Sequence, residues 1–299
     1  MKSFIHKPVF FNNIKCIFNN LSTADSICVD ATMGYGGHLS SILEFKALKL
    51  CLGFDRDLDA FLYCRKKFSK IEDGFLQLFN LPFSNLEMVL NNQKISCFNA
   101  LLADLGVSSY QLDTAKRGFS YRMDAPLDMR MNQEDPKNAA DLLNTYSKDQ
   151  LLDMFKKHSD LYRIEPFVER LVDCRAQKPI LSTFDLISHI KKSFYFRGSR
   201  RRYLSTCAQV FQALRMEVNQ ELNEIEELLK TVKTRLSPGG FACFITFHSI
   251  EDRLVKRFFK VNSEFSLYRN KIIKPTQADI KENPRAKSAK LRVYVRDEA

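Results

Sequence analysis

No apolar run in this 299-residue chain approaches the ~18–20 residues that a helix needs to cross a bilayer. A helical membrane protein is therefore not expected. The first residues, MKSFIHKPVFFNNIK, are interrupted by lysine and asparagine and lack the apolar core of a secretory leader. Eight cysteines, at 16, 28, 51, 64, 97, 174, 207 and 243, contain no Cys-x-x-Cys pair. That argues against a structural zinc and against a disulfide framework. Most of them sit inside apolar segments, as reduced core thiols do, so a cytoplasmic, metal-free protein is expected. No Gly-Lys-Ser/Thr accompanies the glycines, which excludes a phosphate-cradling P-loop. No internal repeat is visible.

What is present is charge of one sign and enough apolar matter for a large core. The net charge is +11 and hydrophobic residues make up 45%. Such a balance favours a polyanionic partner, nucleic acid before a membrane surface.

The first hundred residues alternate strand and helix. SICVDA (Ser26–Ala31) reads as a buried strand and ends in the glycine loop Thr32-Met-Gly-Tyr-Gly-Gly-His38, with a helix following to about Phe45. KLCLGFD (Lys49–Asp55) is a second strand, and Asp57 can cap a helix running to about Phe68. GFLQLF (Gly74–Phe79) is a third strand, Ser84 or Asn85 begins another helix, and FNALLA (Phe98–Ala103) is the fourth strand. This alternation implies an α/β fold whose parallel sheet is covered on both faces. Beyond about Asp113 the strands stop. Ser147–Lys157, Glu165–Gln177 and Ser182–Phe194 have helical periodicity and polar caps. A long helix is expected from about Ala208 to Leu236, stopped by Ser237-Pro-Gly-Gly240. Strands resume at Phe241–Phe247 and Lys290–Arg296. The expected organisation is a discontinuous sheet domain, 1–112 and 213–299, interrupted by an all-helical insertion over 113–212.

The candidates for chemistry collect at strand ends. Gly34 and Gly36 fit a dinucleotide fingerprint, but Leu39 stands where its third glycine belongs. Glycines between a strand and a helix allow the backbone to approach a ligand. Asp55, at the end of the second strand, suits a ribose diol. Together these residues match S-adenosylmethionine enzymes at least as well as nicotinamide enzymes. His38 follows the glycines as a capping, packing or ligand-facing residue. Phe83 follows the third strand, where an aromatic ring can stack on adenine. Asp104 ends the fourth strand and can accept hydrogen bonds from a cofactor or substrate amine, or cap a helix before Ser108 and Ser109. Gln111 offers a donor and an acceptor. His248, in Ile245-Thr-Phe-His-Ser-Ile-Glu-Asp252, is expected at the same sheet edge, with Ser249 capping the next helix.

Two further stretches stand out. Ala103–Met131 (ADLGVSSYQLDTAKRGFSYRMDAPLDMRM) is long, unpatterned, aromatic and charged with both signs. Ordering such a segment is costly unless it has a role. The tract Arg197-Gly-Ser-Arg-Arg-Arg202, with Tyr203 and the preceding Phe194, Tyr195 and Phe196, interleaves guanidinium groups and rings in the way that suits a single-stranded nucleic acid. A second basic loop spans Asn283–Ser288.

At this point the runs DATMGYGGH, FDRD, DLGVSSYQLD…RGFSYRMDAPLDMRM, FQALRMEVNQELNEIEELL, LSPGGFACFITFHSIEDRLVKRFF and ENPRAKSAKLRVYVR carry a resemblance. The chain resembles the MraW family of ribosomal RNA small subunit methyltransferases from His6-Lys-Pro-Val9 to its last strand. The long DLGVSS…PLDMRM run makes the resemblance specific. It implies a Rossmann-like S-adenosylmethionine-dependent methyltransferase sheet with an inserted helical domain for RNA. It also implies methyl transfer to the exocyclic N4 of a cytidine, number 1402, in the decoding region of 16S rRNA, with S-adenosyl-L-homocysteine as product. Cofactor positions carry over onto Gly36, Gly37, His38, Asp55, Phe83, Asp104 and Gln111, and Asp104 is the candidate catalytic group. RNA contacts are expected from Arg197, Arg200, Arg201, Arg202, Tyr203, Arg215 and His248. The expected partner is 16S rRNA, within the small ribosomal subunit, and a homodimer is compatible with the chain. One stretch departs: where family members often carry H/D-P-A-T-R-T before FQALR, this chain reads Ser205-Thr-Cys-Ala-Gln-Val210, with Gln209 in place of the arginine.

No cysteine follows a proline, so the nucleophile signature of cytosine C5 methyltransferases is missing, and no two prolines are adjacent, so the acid/amide-Pro-Pro-aromatic loop of many amino-methyltransferases is missing too. Base binding is then expected from residues 105–131, with the cytosine unstacked. Two other classes stay open: a non-catalytic RNA-binding protein, and a small-molecule methyltransferase. A nicotinamide oxidoreductase is disfavoured by Leu39.

Overall fold

A computed structural model describes residues 8–21, 24–71 and 74–298. His6 and Lys7, where the resemblance begins, lie outside the described residues. The chain divides into two compact units, one made of residues 1–106 and 222–299 and the other of Val107–Glu221.

The described residues of the first unit form one seven-stranded sheet. Its strands are β1 (Ser26–Asp30), β2 (Leu48–Phe54), β3 (Leu76–Phe79), β4 (Phe98–Asp104), β5 (Leu236–Thr246), β6 (Phe265–Leu267) and β7 (Lys290–Arg296). They lie in the order β3-β2-β1-β4-β5-β7-β6. Neighbours from β3 to β5 run parallel, and β7 is antiparallel to both β5 and β6. The near-continuous apolar strands are explained by burial on both faces. Cys28, Cys51, Ala100, Leu102, Cys243 and Val293 face one cluster, while the intervening Val29, Leu52, Leu101, Ala103, Phe244 and Tyr294 face another. Phe54 and Phe98 are fully buried, and truncating either to alanine is expected to cost ~3–5 kcal/mol. Strand order reverses between β1 and β4, which is where open parallel sheets leave a crevice at their carboxyl ends.

A helix over Phe11–Leu21 packs Ile14, Ile17 and Phe18 into the first cluster, with Phe18 edge-to-face on Phe241 at 5.0 Å. Sequence reading tested these residues only as a leader and missed the helix. It also missed β6, which is three residues long. Ser237-Pro-Gly-Gly240 is not a stop outside the sheet. It lies within β5, in an irregularity where Leu236 pairs with Phe98 and Phe241 with Ala100. A side chain on Gly240 would sit 2.8 Å from the carbonyl oxygens of Asn99 and Ser237.

The second unit is helical. Its helices Ala139–Thr145, Lys148–His158 and Thr183–Ser193 open with full capping boxes at Asn138/Asp141, Ser147/Gln150 and Ser182/Asp185. With Glu165–Arg175 they enclose a core of Leu151, Phe155, Phe167, Leu186 and Leu214. The expected single helix from Ala208 to Leu236 is two helices, Arg200–Val218 and Glu221–Arg235. Gln220 takes a left-handed φ of 51° at the break. The cause is Asn219, which is fully buried. Its side chain receives Met131 N–H at 2.7 Å and donates to Met129 O at 2.8 Å. The boundaries of the inserted unit accordingly fall at 107 and 221, against the 113 and 212 read from helix periodicity.

Candidate active site

The carboxyl ends of three adjacent strands, β2, β1 and β4, each carry an aspartate. Asp30 ends β1, Asp55 follows β2 and Asp104 ends β4. Asp30 pairs in register with Gly53 on one side and Leu102 on the other. Asp55 and Asp104 each lie two residues past those partners. By the period-two pleat, all three side chains belong to one face of the sheet. Asp30 sits one pleat below and between the other two. It is fully buried, its Oδ1 accepts Thr32 N–H at 3.2 Å, and its Oδ2 has no hydrogen-bond partner among the described residues. Thr32 ties the ends together, because its Oγ1 accepts Asp104 N–H at 2.6 Å.

The glycine loop is held against this edge. Gly34 N–H donates to Asp55 Oδ2 at 2.9 Å and Asp57 N–H to Asp55 Oδ1 at 2.8 Å. Cys64 Sγ donates to Gly34 O at 3.2 Å, and Lys67 Nζ donates to Gly36 O at 3.0 Å. Gly36 has φ +71°, and a Cβ there would lie 2.6 Å from the Phe68 ring. A Cβ on Gly37 would collide with Pro8. The loop therefore needs glycine at both positions because protein atoms fill the space behind it. His38 is buried against Phe11, ring centroids 6.5 Å apart, and its Nε2 lies 3.8 Å from Asp104 Oδ2. Phe83 opens a 3-10 turn after β3, half-buried against the cluster that contains Phe54 and Leu86.

These carboxyls are crowded and poorly solvated. Burial, opposed by the Thr32 N–H and assisted by Asp55, pushes Asp30 up to about 7. Burial and the Asp57 charge raise Asp55 to about 7 against the hydrogen bonds it accepts from Asp57 and Gly34. Burial, with Asp30 and then Glu251 as like charges, raises Asp104 to about 8. Burial drives His38 the other way, to about 4, against the Val9 backbone. The edge is thus a cluster of acids that hold protons near neutrality and would ionise beside a cation.

His248 reaches the same end of the sheet, after β5, but as the cap of the helix Ser249–Val261. Sequence reading gave that capping role to Ser249. The His248 Nδ1 accepts Glu251 N–H at 3.4 Å and its Nε2 lies 2.7 Å from Glu251 Oε1. Glu251 is fully buried and accepts Phe247 N–H at 3.0 Å. The ring expected to meet RNA is engaged by its own helix.

Sequence reading named Asp55 and Asp104 but missed Asp30. The signal was available: three apolar runs, SICVD, LCLGFD and NALLAD, each end in aspartate.

Gln111 belongs to the inserted unit. There it is the third helical residue of a capping box, its Oε1 accepting Ser108 N–H at 3.0 Å while its own N–H donates to Ser108 Oγ at 3.2 Å. Most of the specific run around it is internal structure. Arg117 is fully buried and donates to the Arg130 and Met131 carbonyls at 3.0 and 2.8 Å. Arg130 clasps Asp128 at 2.7 Å. Gly118, at φ +71°, lies where a Cβ would strike the Pro126 carbonyl. Phe119, Leu127, Met129 and Met131 are core. The run expected to bind a base is therefore largely the inner staple of the insertion, which explains its unpatterned sequence.

The arginine tract is not a loop throughout. Ser199 caps a helix whose first residues are Arg200, Arg201 and Arg202, with no acid in that turn. Arg197 (φ 48°) and Gly198 (φ 71°) form the left-handed turn before it. All four arginines are exposed. Three positive charges at a helix N-terminus oppose the helix dipole, so helix stability does not account for them. Among the rings, Phe194, Phe196 and Tyr203 pack on the insertion's core, Tyr203 edge-to-face with Phe196 at 5.3 Å. Tyr195 is the ring that is free to stack, at 81% exposure. Arg215 is placed elsewhere, in a buried bidentate pair with Glu221 at 2.7 and 2.8 Å. It holds the helix end.

Among the described residues no group of three or more potential ligands is arranged to hold a metal ion, and no helix is long and apolar enough to cross a membrane.

Comparison with known proteins agrees with this picture. The MraW methylase family profile matches residues 3–297. A protein of Dictyoglomus thermophilum named ribosomal RNA small subunit methyltransferase H is 41% identical over 297 residues, covering 98% of this chain and 97% of its own. Proteins of the same name from Mycoplasmopsis pulmonis and Clostridioides difficile are 39% and 37% identical, each over 97% of this chain and 98% of theirs.

Proposed function

The chain belongs to the MraW methylase family, and on that premise we propose that it methylates the exocyclic N4 of a cytidine in the decoding region of 16S rRNA, nucleotide 1402. It is a methyltransferase of small-subunit ribosomal RNA that uses S-adenosylmethionine. The observation that carries the reading is the acidic edge beside the glycine loop. The residues there fit a cofactor that carries a sulfonium, an ammonium and a ribose diol. Asp55 keeps acceptor capacity beyond its two N–H partners, and the Asp30 Oδ2 is a buried acceptor with no partner among the described residues.

When bound, the cofactor supplies an electrophilic methyl group. In the transfer the cytosine N4 lone pair would take up that methyl group, and the electron pair of the broken bond would stay on the neutral thioether. That lone pair is delocalised into the ring, so the protein must position and polarise the amine. Asp104 is assigned that task. Its carboxylate accepts a hydrogen bond from N4–H, and its raised proton affinity suits it to take the proton as the methyl arrives. The thiols nearest the edge favour N4 over C5 as acceptor. Burial pushes both Cys28 and Cys64 up to about 12, so neither is the thiolate that attack on the pyrimidine ring would require.

The exposed Arg197, Arg200, Arg201 and Arg202, with Tyr195, are assigned to the RNA. The net charge of +11 supports a polyanionic acceptor over a small molecule. A cytoplasmic site of action follows from such a substrate. The test is labelled methyl transfer to small subunits from cells lacking the protein, compared with deproteinised RNA. Transfer to either, lost in Asp104→Ala, is expected. No transfer to either, despite measurable cofactor binding, would support the non-catalytic RNA-binding class instead.

A further inference from the structure

The fold's hydrogen bonding uses only one oxygen of Asp30. One of its oxygens is satisfied by Thr32 N–H at 3.2 Å, and the other has no partner among the described residues although Asp30 is fully buried. A buried carboxyl oxygen left unpaired is costly, and native proteins tolerate it chiefly where something else is to be met. Its place is informative. β1 is flanked by β2 and β4, and Asp30 is in register with Gly53 and Leu102. The carboxyls of Asp55 and Asp104 therefore stand about 7 Å further along the strands on either side, on the same face. A ligand spanning Asp55 and Asp104 passes over Asp30.

The groups that face Asp30 are acids and thiols: Asp55 and Cys51 from β2, Asp104 from β4 and Cys64 from the helix Leu58–Lys67. Lys67 stands beyond Cys64, with its ammonium on the Gly36 carbonyl. His38 is neutral near pH 7. Negative charge gathers here with a proton as its counter-charge.

We propose that Asp30 is a specificity-determining residue, whose unpartnered oxygen makes this edge select the sulfonium-bearing cofactor over the neutral thioether that remains after transfer. This rests on the cofactor reading above. The two ligands share the adenosine, the ribose and the amino-acid group, so contacts to those parts cancel in the comparison. They differ by one positive charge and one methyl. A carboxylate buried beneath the ligand interacts with that charge in a poorly screened place. Loss of the charge on transfer weakens the hold, so the same residue favours product release. Binding of the cation also displaces protons from the cluster, and binding of the thioether displaces fewer.

The experiment is calorimetry on the full chain with S-adenosylmethionine, S-adenosylhomocysteine and sinefungin, whose amine carries a positive charge in place of the sulfonium. In the wild type the preference for the charged ligands over the thioether is expected to rise as pH increases from about 6 to about 8.5, as the acids lose their protons. In Asp30→Asn that preference falls about tenfold, with sinefungin following S-adenosylmethionine. An unchanged preference in a folded Asp30→Asn protein overturns the inference. Should that variant not fold, the wild type decides: titrations in two buffers of different ionisation enthalpy must show more protons released by S-adenosylmethionine than by the thioether, and equal release overturns it. Binding of none of the three by the wild type would overturn the cofactor reading itself.

Discussion

His38 Nε2 and Asp104 Oδ2 lie 3.8 Å apart, yet they form no ion pair near neutral pH. Burial lowers the histidine to about 4 and raises the aspartate to about 8, so both are uncharged in the interval between. The ligand-free edge is therefore poised to gain negative charge at Asp104 as pH rises or as a cation arrives. Affinity for S-adenosylmethionine should climb with pH through about 8 in the wild type. Asp104→Asn should flatten the curve and weaken binding at pH 8, as read by calorimetry. A wild-type curve that is flat across that interval would argue against the assignment.

Asp30 carries a stability cost with a defined sign. Its folded-state value of about 7 stands above the ordinary 3.8, so the folded protein binds the proton more tightly than the unfolded chain. The associated stability is fully present below pH 3.8 and is lost as pH rises through about 7. Asp30→Asn cannot ionise. It should stabilise the protein at pH 8 relative to wild type, by about 1–4 kcal/mol, and by roughly a third of that amount at pH 5, since the loss accumulates between 3.8 and about 7. Denaturant midpoints at the two pH values provide the check.

Gly36→Ala places a methyl group against the Phe68 ring at a φ of +71°. Strain of that kind costs roughly 1–3 kcal/mol. The loop it distorts also presents Gly34 N–H to Asp55. Thermal unfolding should show the loss of stability, and cofactor affinity should fall by at least about tenfold, since 1.4 kcal/mol of misplacement is enough.

The arginines divide into two groups that mutagenesis can separate. Arg215→Ala strands the buried Glu221 carboxylate and should destabilise the insertion by about 3–5 kcal/mol. Replacing Arg200, Arg201 and Arg202 together by alanine should leave unfolding nearly unchanged. It should instead weaken RNA binding and reduce the salt dependence of log K by up to about 2–3. Tyr195→Ala should cost about 1–3 kcal/mol of RNA affinity. Filter binding over a salt series distinguishes the two groups.

Much of the sheet could be read from the chain because buried parallel strands announce themselves as short apolar runs ending in glycine or acid. β1 to β4 lie within two residues of their expected limits. What escaped was decided by long-range contacts. Asn219 breaks a helix that is continuous in periodicity, because its amide belongs to the Met129–Met131 backbone. The Ala103–Met131 run carries charges and glycines that suggest an exposed ligand loop, while Arg117 lies fully buried within it. Composition could not show that its guanidinium satisfies two carbonyls inside the insertion. In the same way an aromatic-rich tract does not say which ring is left over: Tyr203 packs and Tyr195 does not. At the edge, Asp55 and Asp104 were legible from their positions after strands. Asp30 was hidden because Ser26–Ala31 read as a buried strand running past it.

The central claim is that this edge delivers a methyl group to an exocyclic amine of small-subunit RNA. It is tested most directly by letting the purified protein transfer a deuterated methyl group to small subunits from cells lacking it, digesting the RNA to nucleosides and weighing the product by mass spectrometry. The account predicts deuterated N4-methylcytidine, absent when Asp104→Ala replaces the wild type. Label found instead in 5-methylcytidine, or in a ribose methyl group, would contradict it.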